Sequence, residues 1–189
     1  SGLRSILRQD PDIVMLGEIR DYETAEIAIR AAITGHLVLS TIHTNDAPSS
    51  IVRLKDMGVA PYLVSSALVG IIAQRLIRKL CLHCREKYSA SNYEKEILGV
   101  PKDQELTLYR KVGCNRCSNT GYKGRVGIYE IMEINRELRE LINEDASVEN
   151  ITNAALRNGM KTLSKSAINV ILKGNSTVEE LLRVTLLGE

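Results

Sequence analysis

The chain has 189 residues, of which 44% are hydrophobic and 25% are charged. This composition is that of an ordinary globular protein, and it excludes a disordered or fibrous chain. The 25 basic and 23 acidic residues leave a formal net charge of +2, which provides no overall electrostatic attraction to nucleic acid or anionic lipid. Because Phe and Trp are absent, the core must be built from Ile, Leu, Val, Ala and Met.

No segment of the sequence has the features of a membrane span or a secretion signal. The longest apolar stretch, 62–72, is shorter than the roughly 18 residues that a membrane-spanning helix needs, and it contains Ser65 and Ser66. The N-terminal residues lack the apolar core of a signal peptide. We therefore expect a reducing, cytoplasmic environment, where the four cysteines are better suited to bind metal than to form disulfides.

Strand and helix patterns alternate over the first 80 residues. The patterns predict the end of a helix at 3–8, strands at 13–16 and 36–42, and helices at 22–34, 46–57 and, as a long helix, from Pro61 onward. Both strands are apolar runs, which are typical of strands buried on both faces. This alternation predicts half of an open parallel sheet, so we expect a further, N-terminal part of the sheet to precede Ser1.

The rest of the chain divides into two blocks. Block 81–130 holds all the cysteines and is richer in glycine and basic residues, whereas block 131–189 has helical patterns throughout. Capping residues predict the helix starts of the last block at Asn135, Ser147, Thr162 and Ser176-Thr177.

Glu18 directly follows the first predicted strand and Gly17. In open α/β sheets, ligands bind beyond the carboxyl ends of the strands. A carboxylate at this position is therefore placed to orient a water nucleophile or to hold Mg²⁺ through its waters. An apolar run followed by Glu is a weak pattern by itself, and an ordinary surface glutamate at a strand end is the alternative.

Polar residues also follow the second predicted strand, among them Thr41, His43 and Asn45. If the two strands are neighbours, His43 and Glu18 meet at one crevice, where an imidazole can hydrogen-bond a terminal phosphate. The alternative is a histidine satisfied by a backbone carbonyl. His36 begins the same strand at its opposite end, and we expect it to be structural.

All four cysteines lie in two C-x-x-C pairs separated by 29 residues, Cys81 with Cys84 and Cys114 with Cys117. Two such pairs are a strong indication of a tetrahedral Cys₄ zinc site that is closed and structural. Two disulfides or free thiols are one alternative, and a Cys₃His site that uses His83 is another. Four nearby basic residues are expected to offset the negative charge of a zinc–thiolate centre: Arg85, Lys87, Arg116 and Lys123.

Other catalytic patterns are missing from the sequence. It contains no phosphate-loop pattern, Gly-x-x-x-x-Gly-Lys-Ser/Thr. The glycine-rich segment 119–127 matches neither that pattern nor a dinucleotide fingerprint, and instead predicts a turn before a strand at 126–131. No Ser-His-Asp or Cys-His nucleophile arrangement is evident, because the metal pattern accounts for every cysteine.

Taken together, these residues resemble the secretion ATPase family, the motors of type II secretion and type IV pilus assembly. LRQDPDIVMLGEIRDYETA (7–25) resembles that family's Walker B region, and GHLVLSTIHTN (35–45) resembles its histidine box. The resemblance continues through Arg53-Leu, Met57-Gly58, Gln74-Arg-Leu, the C-x-x-C pairs and GRVGIYE (124–130), and so covers nearly all of the chain. The tetracysteine element is typical of assembly and secretion members rather than of retraction motors.

The resemblance implies three segments: the C-terminal part of a RecA-like P-loop NTPase core with parallel strands (1–80), a tetracysteine zinc element (81–130) and a helical C-terminal subdomain (131–189). It implies that Glu18 is the Walker B glutamate, which acts on Mg²⁺ and the attacking water, and that His43 senses the γ-phosphate of ATP. Arg8 and Arg20 are candidates for charge stabilisation or subunit contact.

For the intact protein, the resemblance implies a hexameric, cytoplasmic ATPase bound to a platform protein of the inner membrane. ATP hydrolysis in such motors drives the addition of pilin or pseudopilin subunits. The Walker A loop would lie upstream of Ser1, so we expect the 189-residue chain not to hydrolyse ATP by itself.

Two functions of other classes are alternatives. The chain would be a non-catalytic, zinc-braced protein-binding module if Glu18 and His43 did not share a solvent-open crevice. A nucleic-acid-binding zinc protein is the other, but the net charge of +2 and the lack of Phe and Trp for base stacking argue against it.

Overall fold

A computed structural model of the chain describes residues 9 and 11–186. The chain forms two compact units, each assembled from separated stretches of sequence. Unit 1 comprises the described residues up to Ala73 and Ile131–Met160, and unit 2 comprises Gln74–Glu130 and the described residues after Met160. These boundaries differ from the three consecutive segments predicted above, whose functional assignment stays a prediction.

Helices and strands are mixed along the described chain. Their bounds are β1 (Ile13–Met15), α1 (Tyr22–Ile33), β2 (Leu37–Leu39), α2 (Ala47–Asp56), α3 (Pro61–Ala67), β3 (Gly70–Leu80), β4 (Glu86–Ser89), α4 (Asn92–Leu98), β5 (Thr107–Arg110), a 3₁₀ helix (Asn115–Cys117), β6 (Tyr122–Glu133), α5 (Arg136–Asn143), α6 (Val148–Arg157), α7 (Leu163–Leu172) and α8 (Val178–Leu186). Strands β1 and β2 are parallel, β3 pairs with β6, and β4 and β5 are antiparallel. The predicted α/β fold class with parallel strands is therefore confirmed.

The first two helices of unit 1 each begin directly after a capping aspartate. Asp21 precedes α1 and accepts a hydrogen bond from the Thr24 N–H. Asp46 precedes α2 and accepts one from the Ser49 N–H. Each carboxylate satisfies a backbone donor that has no partner within its helix, and its charge suits the positive end of the helix dipole. After α1, Gly35 adopts a φ of +106°, in the left-handed region expected just beyond a helix end.

The prediction that the first two strands are buried on both faces is wrong. Val14 is buried, but its neighbours Ile13 and Met15 are 61% and 75% exposed. The parallel register places Ile13 opposite Leu37 and Met15 opposite Leu39, so these four side chains share one face of the sheet. Helix α1 packs against β2, and the face that carries these apolar side chains is open to solvent in the described part of the chain.

The prediction of a long helix after Pro61 is also wrong. Helix α3 has only seven residues, and strand β3 follows it. Ala73, Ile77 and Leu80 are the buried positions of β3, and their i, i+4, i+7 spacing is that of a helix face, although the spacing of Ala73 and Ile77 also fits a strand. Pairing with β6 decides in favour of the strand, and no local pattern reveals a partner some 50 residues away.

Unit 2 is held together by an aliphatic core, as the composition predicts. The core residues come from the β3–β6 and β4–β5 sheets and from helices α4, α7 and α8: Ile77, Leu98, Leu108, Ile128, Ala167, Ile171, Val178 and Leu181. The strand predicted at 126–131 is longer, Tyr122–Glu133, and so takes in residues that were predicted to form a turn.

The C-terminal helices begin where the capping residues predict. The caps of α5, α6 and α7 are Asn135, Ser147 and Thr162. Helix α8 begins at Val178, directly after the predicted Ser176-Thr177 start. No helix of the described residues has both the length and the apolar content of a membrane span.

Candidate functional site

Glu18, Arg20 and His43 lie together beyond the ends of β1 and β2. Because the strands are parallel, their carboxyl ends meet at the same edge of the sheet. Arg20 Nη2 lies 2.6 Å from Glu18 Oε1, and His43 Nε2 lies 3.3 Å from Glu18 Oε2. The structure thus brings together three of the four residues that the resemblance marks as catalytic candidates.

The environment of Glu18 keeps its carboxyl group ionised. A hydrogen bond from Arg20 lowers the pKa of this carboxyl below its ordinary value, whereas burial opposes this shift. The charges of Arg20 and His43 lower the pKa further. Oε2 is buried and, apart from the approach of His43, has no hydrogen-bond partner among the described residues. An ionised carboxylate beside an imidazole at the end of parallel strands is suited to hold a water molecule or a hydrated Mg²⁺ ion.

The remaining candidates of this region are separate from that cluster. Arg8 lies outside the described residues. His36 Nδ1 lies 3.0 Å from the carbonyl oxygen of Ala31 and 3.3 Å from Thr34 Oγ1, at the end of α1. These are the contacts of a structural histidine, as the sequence predicts.

A second candidate site is the cluster of the four cysteines in unit 2. Their Sγ atoms all lie within 4.8 Å of one another, and none is in a disulfide. The Sγ–Sγ distances are 4.0 Å for Cys81–Cys114 and 3.8 Å for both Cys84–Cys117 and Cys114–Cys117. Zn–S bonds of about 2.3 Å give a tetrahedron with edges of about 3.8 Å. The donor set and its spacing therefore fit a zinc ion.

Backbone N–H groups approach two of the sulfur atoms, those of Cys84 and Cys117. Gly113 N–H approaches Cys84 Sγ at 3.4 Å, and the N–H groups of Cys114 and Gly121 approach Cys117 Sγ at 3.2 and 3.3 Å. At Cys117 these N–H groups outweigh burial and lower the pKa of the thiol to about 6. Burial raises the pKa of Cys84 to about 11. The N–H groups stabilise thiolate charge, which is the form of cysteine that binds zinc.

Two glycines allow the backbone to approach this closely. A Cβ at Gly113 would lie 2.8 Å from the carbonyl oxygen of Asn119, and a Cβ at Gly121 would lie 2.6 Å from Lys111 Cβ. Both glycines also have positive φ values, which other residues rarely adopt. The knuckles around the cysteines therefore depend on glycine at both positions.

Two of the nearby polar side chains are engaged elsewhere. His83 is not a member of the sulfur cluster, and its ring nitrogens lie 3.0 and 3.1 Å from Arg116 Nη1. The Arg85 guanidinium donates to the carbonyl of Gly174 and lies over the Tyr109 ring, 4.4 Å from its centroid. Arg85 therefore ties the first cysteine pair to the turn between α7 and α8.

One charged cluster of unit 2 was not predicted from the sequence. Glu180 is fully buried, and its carboxylate accepts hydrogen bonds from the Arg78 backbone N–H and from the guanidinium groups of Arg78 and Arg183. Only the i, i+3 spacing of Glu180 and Arg183 is visible locally. The contact with Arg78 joins β3 to α8 and carries no local signal.

Comparisons with known proteins place the chain in a family. The family model described as "Type II/IV secretion system protein" matches residues 1–183. The chain therefore belongs to the type II/IV secretion system protein family.

Its relatives include both secretion and pilus proteins. The chain is 50% identical to the type II secretion system protein E of Pseudomonas aeruginosa over 97% of its own length and 36% of that protein. It is also 50% identical to the type IV pilus assembly ATPase PilB of Myxococcus xanthus, over 96% of its own length and 32% of that protein. The chain thus spans about a third of the length of these relatives.

Solved structures show the same fold. The ADP-bound pilus retraction motor PilT is 29% identical and superposes with a TM-score of 0.67, covering 97% of this chain and 42% of PilT. The Legionella pneumophila ATPase DotB superposes with the same TM-score at 20% identity, over all of this chain and 42% of DotB, a likeness of fold alone.

Proposed function

We propose that this chain carries the catalytic carboxylate of a motor ATPase that acts in type II secretion or type IV pilus assembly. The observation that carries the proposal is the 3.3 Å approach of His43 Nε2 to Glu18 Oε2 beyond the ends of two parallel strands. The names of relatives that are 50% identical, a type II secretion protein and a pilus assembly ATPase, support the same function.

Each residue of the cluster has a chemical role in this proposal. Glu18, which is ionised, orients the attacking water and would accept hydrogen bonds from the hydration shell of Mg²⁺ when the ion is bound. His43 hydrogen-bonds the γ-phosphate and so makes the site sensitive to its presence. Arg20, and Arg8 in the same motif, supply positive charge or contact a neighbouring subunit. When Mg²⁺ is bound with ATP, it would supply positive charge against the phosphates.

The intact protein, in this proposal, is a cytoplasmic homohexamer that binds an inner-membrane platform protein and adds pilin or pseudopilin subunits. The 189-residue chain contains no phosphate-loop pattern, so we propose that it does not hydrolyse ATP alone. A measurable ATPase rate of the purified 189-residue chain would contradict this part.

Zinc has a structural role in the proposal. Cys81, Cys84, Cys114 and Cys117 would hold it with all four positions filled by protein. Such a closed site leaves no position for substrate, so the ion would brace the β4–β5 region rather than take part in hydrolysis.

A non-catalytic binding module remains the competing function. A binding module has no need for Glu18 and His43 to lie together, whereas the proposed ATPase uses both residues at one site. The convergence at 3.3 Å therefore favours the ATPase.

The test uses the protein extended upstream to the length of its relatives. Glu18→Gln keeps the shape of the side chain but removes its charge, and we expect ATP hydrolysis to fall at least about a hundredfold. Glu105→Gln, the same change at an exposed loop position, is the matched control and leaves the rate unchanged. Equal rates in the two variants would remove Glu18 from the mechanism.

A further inference from the structure

The loop that carries Glu18 has little structure of its own. Residues 16–20 follow β1 without forming a helix or strand. Gly17 has nothing within 4 Å of the position of a Cβ, so no neighbouring side chain confines it. Within the loop, Arg20 contacts the Glu18 carboxylate, so the position of the loop backbone depends on contacts from other segments.

Thr41, in the segment between β2 and α2, makes hydrogen bonds to both neighbours of Glu18. Its hydroxyl donates to the carbonyl of Gly17 at 2.6 Å, and its own carbonyl accepts from the N–H of Ile19 at 2.9 Å. One residue thus holds the peptide groups on either side of Glu18.

We propose that Thr41 is a positioning residue, which fixes Glu18 at the distance from His43 that catalysis requires. This inference rests on the proposed function for its effect on ATP hydrolysis. Thr41 does not touch the reacting groups itself and acts through the backbone of the Glu18 loop.

The position of Thr41 along the chain explains why it is suited to this role. It lies two residues before His43, and Glu18 lies between the two residues that Thr41 binds. Its two hydrogen bonds therefore join the segment carrying the imidazole to the loop carrying the carboxylate. These bonds maintain the contact between His43 Nε2 and Glu18 Oε2, which lie 3.3 Å apart.

The neighbouring hydroxyl residue Thr44 serves a different purpose. Its Oγ1 donates to the carbonyl of Asp46 and lies 2.8 Å from Ser50 Oγ, so it belongs to the start of α2. The Thr41 side chain, by contrast, binds the backbone of the Glu18 loop.

The first test measures amide hydrogen exchange by NMR in the 189-residue chain. Thr41→Val keeps the β-branched shape and removes the hydroxyl, whereas Thr41→Ser keeps the hydroxyl. Thr41→Val removes the bond to the Gly17 carbonyl but keeps the backbone carbonyl that accepts from the Ile19 N–H. Loss of the first bond loosens the loop, so we expect the Ile19 N–H to exchange faster, by up to about tenfold. The N–H of Leu16, bonded to the carbonyl of Leu39, reports whether the strands remain folded, and its exchange stays unchanged.

The same samples report on Glu18 itself. We expect the Cδ resonance of Glu18 at neutral pH to shift in Thr41→Val, and to stay at its original position in Thr41→Ser. Ser40→Ala, the loss of a hydroxyl one residue away, is the matched control and leaves both signals unchanged. The inference would be overturned if Thr41→Val and Ser40→Ala gave the same Ile19 exchange rate and the same Glu18 resonance.

The second test measures ATP hydrolysis in the longer protein. Thr41→Val lowers kcat about tenfold or more and leaves KM for ATP within about twofold, because misplacing a catalytic group slows chemistry more than it weakens binding. Thr41→Ser restores kcat. An unchanged kcat in Thr41→Val overturns the positioning role. If the longer protein without substitutions does not hydrolyse ATP, the proposed ATPase function is contradicted instead. The role of Thr41 is then decided by the Ile19 exchange rate and the Glu18 Cδ resonance alone.

Discussion

Glu180 and Arg78 are 102 positions apart in the sequence, yet Arg78 Nε donates to Glu180 Oε1 at 2.8 Å. The Glu180 side chain is fully buried, whereas the side chains of Arg78 and Arg183 are 43% and 42% exposed. A buried carboxylate is costly unless it is paired and hydrogen-bonded, and here two guanidinium groups and a backbone N–H satisfy it. This contact fixes α8 to β3 within unit 2.

Replacing the Glu180 carboxylate is therefore expected to destabilise the chain. Glu180→Gln removes the buried counter-ion of both arginines, leaves Arg78 with only the longer 3.8 Å contact to Glu179, and keeps a buried polar group with fewer strong hydrogen bonds. We expect a loss of about 2 kcal/mol in the free energy of unfolding in urea, below the usual cost of breaking a buried ion pair because the two arginines can be solvated. Glu179→Gln changes a neighbouring, half-exposed carboxylate and costs much less.

The same carboxylate predicts a dependence of stability on pH. Despite burial, the bonds from Arg183 and Arg78 lower the pKa of Glu180 to about 2 in the folded chain. A carboxyl with a depressed folded pKa contributes stability that is complete above its unfolded pKa and is lost as the pH falls through the folded pKa. The stability difference between the original chain and Glu180→Gln should shrink as the pH is lowered from about 5 to 2. A constant difference over this range would contradict the assignment.

The tetracysteine cluster predicts one zinc ion per chain. Removing a structural ion takes away its binding free energy, so chelation should lower the melting temperature, and adding zinc back should restore it. Mass spectrometry gives the metal content, and thermal melting gives the stability. Cys117→Ser is the control, because a chain that cannot complete the site should melt at a lower temperature and respond little to chelator. A chain without metal whose melting is unaffected by chelator would contradict the zinc site.

Gly174 provides a test of the packing between the α7–α8 turn and β5. Its φ is +71°, and an added Cβ would lie 2.6 Å from Cε2 of the Tyr109 ring. Gly174→Ala therefore carries both the strain of a left-handed backbone and the displacement of a ring that Arg85 covers. Gly99 has a similar φ of +67° with nothing within 4 Å, so Gly99→Ala measures the strain alone.

We expect Gly99→Ala to cost about 1 kcal/mol in free energy of unfolding and Gly174→Ala clearly more, about 2 to 3 kcal/mol. Urea denaturation of both variants gives the comparison. Equal losses would mean that the Tyr109 ring moves aside without cost.

The parts of the fold that were predictable are those set by local chemistry. Helices begin after Asp21, Asp46 and Ser147 because each of these side chains accepts a hydrogen bond from the backbone N–H three residues later. Such a cap involves only neighbouring residues, so the local sequence is enough to indicate it. Strand β3 was mistaken for a helix because the buried positions Ala73 and Ile77 fit both periodicities, and the strand depends on a distant partner.

The same distinction applies to the sites. The cysteine cluster was predictable because two C-x-x-C pairs in one chain are typical of a zinc site. The approach of His43 to Glu18 followed from the common edge of parallel strands. The hydrogen bonds of Thr41 and the burial of Glu180 depend on how distant segments pack, and neither has a local pattern.

The most direct test of the central claim is a double-mutant cycle on ATP hydrolysis in the protein extended to the length of its relatives. Glu18→Gln and His43→Ala are measured singly and together. Residues that act as one catalytic unit are strongly non-additive, so the double variant should be about as slow as the slower single variant. Effects that simply multiply in the double variant would show that Glu18 and His43 do not act as one site, despite the 3.3 Å between them.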